Sequence, residues 1–278
     1  MGTYTSPIPR DIAAQYGREA VAIGERGEYA APSGRMVDIR AQVEKAVQST
    51  ISYPPDVRLD TTLIGQHDTG IEVTNETTLS AAERLLQQRF KSVALNFASA
   101  TSPGGGFLKG ARAQEEYLAR SSCLHQCIRS NPMYAFHREA YDPLYTDYVL
   151  YSPEVPVIRS DKGTLLESPY TVSMITAAAV HANRVPPDRR GEIGPAMWSR
   201  MLKVLAVGVA HGHDAIILGA WGCGAFGNDG DEIAALFRTA LRQNFKGAYR
   251  KVVFAIVDWS TERHFIGPFE RAFAVALG

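Results

Sequence analysis

NFASATSPGGGFLKGARAQEEYLARSS, residues 96–122, closes a short apolar run, inserts Gly104, Gly105 and Gly106, and then opens a segment with helical character. Three consecutive glycines are costly in backbone entropy. They are most easily explained where the chain needs unusual dihedrals or must let another group approach its backbone closely. Gln114, Glu115 and Glu116 follow seven residues later, at the expected start of the helix 113–121. Carboxylates there are stabilised by the helix dipole, which is one sufficient reason for them. A second is chemical. Adjacent helical residues point about 100° apart, so one carboxylate can hold substrate hydroxyls while the other transfers a proton, as breaking a glycosidic bond requires.

Outward from this stretch the chain alternates apolar runs with helical spacing, the pattern of a three-layer α/β/α fold around a mixed sheet. Expected strands are 71–74, 92–97, 146–151, 155–158, 170–175, 215–218 and 251–257, the last reading KVVFAIV, apolar enough for burial on both faces. Expected helices are 79–90, 113–121, 195–211, 231–244 and 261–276. Residues 9–50 read differently, as helix, turn and helix, and SYPPDVRLD, residues 52–60, reads as a connector because adjacent prolines forbid helix. The division is thus a helical N-terminal extension, residues 1–56, and an α/β domain, residues 57–278.

LGAWGCGAFGND, residues 218–229, repeats the first arrangement: strand, glycine-rich turn, helix start. Such a turn offers a nest of N–H donors for a pyrophosphate, and Phe226 can stack on a base or anchor the core. Open α/β sheets bind ligands at the carboxyl ends of strands, where both turns fall.

The triple glycine, the QEE after seven residues, the preceding NFASA and the downstream GAWGCGAFGN together resemble the bacterial type of poly(ADP-ribose) glycohydrolase, a macrodomain enzyme, over most of residues 57–278. The helical start is similar to that family's amino-terminal extension. The resemblance implies a glycosidase that releases ADP-ribose from poly(ADP-ribose). Glu116 would be the general acid and base, and Glu115 would hold the ribose hydroxyls. Gly104–Gly106 would wrap the diphosphate, which would in turn stabilise positive charge on the ribose. Gly222, Cys223, Gly224, Ala225 and Gly227 would form the second phosphate loop, with Phe226 against adenine or ribose. Asn96 would contact the terminal ribose, and Gln114 would join the substrate-binding set. Poly(ADP-ribose), ADP-ribose and ADP-ribosylated proteins are the implied partners; no cofactor or metal is. Two competing readings are a non-hydrolytic ADP-ribose-binding macrodomain and a hydrolase of another ADP-ribose derivative.

Composition narrows the rest. Lys plus Arg and Asp plus Glu both number 29, so bulk charge would not collect duplex nucleic acid or anionic lipid. Three cysteines, Cys123, Cys127 and Cys223, make no disulfide framework and fit a reducing cytoplasm. Cys123 and Cys127 are expected on one helical face as small buried hydrophobes. No apolar run reaches membrane-spanning length and no leader pattern is visible. The Gly2/Ser6 pair satisfies a loose myristoylation pattern that nothing nearby supports. His211-Gly-His213 is expected to be a helix stop rather than a metal site. Arg184, Arg189 and Arg190 are read as a solvated loop. Arg263 and His264 would favour terminal cutting if they overhang the site.

Overall fold

A computed structural model describes residues 8–274, so the Gly2/Ser6 pattern and the last residues of the expected helix 261–276 lie outside it. The chain opens with α1 (Arg10–Arg26), which Pro9 precedes and Gly27 stops in a left-handed cap. A hairpin of β1 (Glu28–Ala30) and β2 (Met36–Asp38) leads to α2 (Arg40–Gln48). The remaining strands form one mixed seven-stranded sheet. They are β3 (Ile51–Tyr53), β4 (Gly70–Thr74), β5 (Ser92–Phe97), β6 (Val149–Arg159), β7 (Leu165–Ala177), β8 (Ala215–Leu218) and β9 (Lys251–Ala255). Their order is β3-β6-β7-β5-β8-β9-β4, with β6 antiparallel to both neighbours and the other pairings parallel.

Helices cover both faces: α3 (Thr78–Gln87), α4 (Gln114–Ser121), α5 (Leu124–Ile128) and α6 (Met133–Ala140), then α7 (Ile193–Ala210), α8 (Gly230–Thr239) and α9 (Gly267–Phe273). The alternation of strand side chains divides the core accordingly. Val93, Leu95, Ile216, Leu218, Val252 and Phe254 join the apolar layer under α7, α8 and α9. Ala94, Ala215, Ile217, Val253 and Ala255 join the layer under α3 and α4. Central strands buried on both faces explain why these runs are apolar without a break.

Several elements differ from expectation for local reasons. The strands expected at 146–151 and 155–158 are one strand, β6, with a register shift between Ser152 and Val155, where Pro153 lacks an N–H and Glu154 has φ 47°. Ser52 and Tyr53, read as connector, pair with β6 as the sheet's edge, so the extension supplies a strand to the central sheet. The helix expected from residue 261 begins only at Gly267. Asp258 instead holds the intervening backbone in a loop by accepting from the N–H groups of Ser260, Phe265 and Ile266. The segment 231–244 is helical throughout, ending in one π turn, Ala240–Asn244. Cys123 sits between α4 and α5 rather than on a shared helical face with Cys127; both are buried. His211 caps α7 and stacks on Tyr151 at 3.6 Å. Arg189 is held by Asp142 and Glu192. Among the described residues no group of His, Cys, Asp and Glu could hold a metal ion, and no helix is long and apolar enough to cross a membrane.

Candidate active site

The loops that follow β5, β8 and β9 leave the same edge of the sheet and enclose a cavity of about 360 Å³, ample for a nucleotide-sized ligand. Its walls include the first turn of α4, with Gln114, Glu115 and Glu116, and the turn after β8, with Gly222, Gly224, Ala225 and Phe226.

The amino end of α4 is pinned by Gln114. Its side-chain oxygen accepts from Phe97 N at 2.9 Å, and its nitrogen donates to Leu95 O at 2.8 Å and Thr78 Oγ1 at 3.1 Å. Both ends of the amide are therefore spent on protein partners. Its neighbour Glu115 is 3% exposed, with Oε2 accepting from Ser99 N at 2.7 Å and Oε1 from Gly104 N at 3.2 Å. Burial pushes its carboxyl well above the ordinary carboxylate range, aided by the charge of Glu116 and opposed by the Ser99, Gly104 and Asn96 donors. Glu116 Oε1 accepts from Gly106 N at 2.9 Å.

The triple glycine has a specific spatial reason. A Cβ on Gly105, which has φ 58°, would overlap Glu116 Oε1 and stand 2.9 Å from Glu115 Oε2. The group that approaches this backbone is thus the pair of carboxylates. The Gly104 and Gly106 N–H groups donate to them, and Gly105 N donates to Ser102 O. Each of the three N–H groups expected to wrap the diphosphate thus has an acceptor within the protein.

The second turn is different. Asn228 fastens it by donating to Val180 O and Gly222 O, at 2.8 and 3.0 Å, and Asn183 donates to Ala225 O at 3.2 Å. The N–H groups of Gly222, Gly224, Ala225 and Phe226 have no acceptor among the described residues. Open backbone N–H groups of this kind can hold an anion, and they precede α8, which Asp229 caps through Glu232 N. Phe226 stacks on His181, 4.6 Å between centroids and 17° between planes, so a protein ring already lies on one of its faces.

Comparison with known proteins gives the family. Residues 17–160 match the family model for the microbial-type PARG catalytic domain. The crystal structure of poly(ADP-ribose) glycohydrolase from Thermomonospora curvata is 45% identical. It covers 94% of this chain and 99% of its own, with a TM-score of 0.90. The chain belongs to the microbial-type PARG family. The T. curvata enzyme bound to the inhibitor ADP-HPD is 46% identical with the same coverage and a TM-score of 0.88. The enzyme from Deinococcus radiodurans in complex with ADP-ribose is 38% identical, covers 86% of this chain and 99% of its own, and has a TM-score of 0.81. No curated protein is matched.

In this PARG fold the expected residues separate into two groups. Gln114, Glu115, Glu116, Gly222, Gly224, Ala225 and Phe226 line the cavity. Asn96, Gly104–Gly106, Cys223 and Gly227 do not. Asn96, expected to contact the terminal ribose, is fully buried, donates to Thr176 Oγ1 at 3.2 Å and lies beside Glu115. Arg263 is paired with Glu270, and neither it nor His264 is in the wall; Trp259 and Phe265 from the same loop are. Glu76, Arg112, Tyr117 and Arg120 also line the cavity and were not singled out by sequence. Arg112 stands two residues before Gln114, and Trp259 follows β9; position beside a motif or after a strand end is the signal that could have found them.

Proposed function

We propose that this protein hydrolyses poly(ADP-ribose), cleaving ribose–ribose O-glycosidic bonds to release ADP-ribose. The observation that carries this reading is the paired carboxylates of Glu115 and Glu116 in one cavity with the open N–H groups of Gly222, Gly224, Ala225 and Phe226. The ADP-ribose and ADP-HPD complexes of the relatives support the same ligand class. Cleavage of the ribose acetal builds an oxocarbenium-like centre, and the leaving oxygen needs a proton. Glu116, fixed by Gly106 N, donates it, and its carboxylate then takes a proton from the attacking water. Glu115, set by Ser99 and Gly104, holds the ribose hydroxyls. The diphosphate sits on the N–H groups of Gly222, Gly224, Ala225 and Phe226, while Asn96, Gln114, Gly104–Gly106, Cys223 and Gly227 shape the walls from behind.

ADP-ribosylated proteins are the macromolecular partners on this reading. A reducing, cytoplasmic setting is supported by the three free thiols, whose burial pushes Cys123 and Cys223 up to about 12 and Cys127 up to about 11. Residues 1–56 serve as an extension to the catalytic domain, residues 57–278. Product analysis tests the function directly. The wild type is expected to release ADP-ribose from poly(ADP-ribose), while Glu116→Gln releases none and still binds ADP-ribose in calorimetry. Binding without release by the wild type would instead identify an ADP-ribose-binding module. Release confined to other ADP-ribose derivatives would move the substrate.

A further inference from the structure

α1 lies directly behind the turn that holds the two carboxylates. Gly17 of α1 faces Phe107: a Cβ there would stand 2.9 Å from the Phe107 carbonyl oxygen and 3.0 Å from ring Cδ2. The opposite edge of the same ring lies over Gly104, where a Cβ would stand 2.9 Å from Cδ1 and 3.0 Å from Cε1. Phe107 is 2% exposed, and it is clamped between a glycine of the helix and a glycine of the turn. Gly104 N donates to Glu115 Oε1, and Gly106, adjacent to Phe107, donates to Glu116 Oε1. The chain of contacts therefore runs from α1 to both carboxylates without a gap, and close packing transmits small displacements along it.

α1 also braces the other flank of α4. Tyr16 lies under the Arg159 guanidinium at 4.1 Å, and Glu19 pairs with Arg159 at 2.8 Å. Arg159 in turn donates to Gly163 O at the tip of the β6–β7 hairpin. That tip carries Asp161, which accepts from Tyr117 of α4 and from Thr77 and Ser80 at the start of α3.

We propose that α1 is a positioning element of the site, with Gly17 as the positioning residue that sets, through the Phe107 ring, where the glycine turn holds Glu115 and Glu116. This rests on the hydrolytic reading given above. Alanine is the better helix former, so Gly17→Ala favours the helix, while its nearest contacts, all to Phe107, become too close.

The experiment compares wild type, G17A, F107L, G17A/F107L and G24A, a control on the same helix whose Cβ would press on the Gln126 side chain, 2.6 Å from its Cγ, rather than on Phe107. Steady-state release of ADP-ribose, calorimetric ADP-ribose affinity and thermal melting are measured for each. G17A is expected to lower kcat about tenfold or more, because small misplacements of catalytic groups cost that much, while KM and affinity change less than about threefold. F107L is expected to lower kcat similarly. Adding G17A to F107L should then cost less than about threefold, because the two changes break one contact. G24A should keep wild-type kcat. The proposal is overturned by a G17A or F107L protein with wild-type kcat, by losses that add independently, or by an equal loss in G24A. A wild type that releases nothing overturns the hydrolytic reading and this inference together, whereas an active wild type with an active G17A overturns only the inference.

Discussion

At the scale of single residues, the site is built from atoms that are missing. Gly105 leaves room for two carboxylates to sit on its backbone, and any Cβ would strike Glu116. Gly105→Ala is therefore expected to lower kcat about 100-fold and to cost about 1–3 kcal/mol of stability through the strained φ. Steady-state release and denaturant melts check the two effects separately. Glu115 and Glu116, neighbours in sequence with the same side chain, differ in surroundings. Glu115 takes donors from Ser99 and Gly104 deep in the wall, whereas Glu116 takes one from Gly106. On the proposed reading, that difference suits Glu115 to a fixed binding role and Glu116 to proton transfer.

At the scale of elements, short polar links decide how α4 is aimed. Gln114 ties its first turn to β5 and α3 through three hydrogen bonds. Gln114→Ala leaves Phe97 N and Leu95 O without their partner. It should destabilise by about 1–3 kcal/mol and lower kcat about tenfold or more with little change in KM. Chemical denaturation and a KM-against-kcat comparison test this. Asp161, at the tip of the β6–β7 hairpin, accepts three hydroxyls from α3, its cap and α4. Replacing its charged acceptor by an amide in Asp161→Asn should cost about 2 kcal/mol, read as a lowered midpoint in urea. None of these long-range links has a periodic signature, since each joins residues of different elements that sequence leaves far apart.

At the scale of the whole molecule, buried imidazoles are expected to lower stability in mild acid. His213 donates from Nδ1 to Lys91 O and accepts at Nε2 from Tyr151, while His137 sits against Thr146; burial pushes both down to about 4. Both are ordinarily near 6.5, so the unfolded chain binds more protons between pH 4 and 6.5, and stability falls as pH falls through that window. Glu115, raised by burial, works in the opposite sense above the ordinary carboxylate range. The melting temperature should drop by at least about 5 °C from pH 6.5 to pH 4. The slope should be shallower in His213→Asn, as calorimetric scans across that range would read.

The sequence alone determined the three-layer class, because strands buried on both faces must read as unbroken apolar runs, and β5 and β8 were legible to their end residues. It also determined the family, since the triple glycine, QEE and second glycine turn occur in order. Edges were not legible: β3 precedes Pro54-Pro55 and is half exposed, so it lacks an apolar signal, and β6 hides its continuity behind Pro153. Only the tertiary structure decided what each glycine turn faces. Backbone N–H groups look alike in sequence, and whether they meet a carboxylate, as at Gly104 and Gly106, or stay open, as at Gly224–Phe226, depends on which helix the fold packs against them.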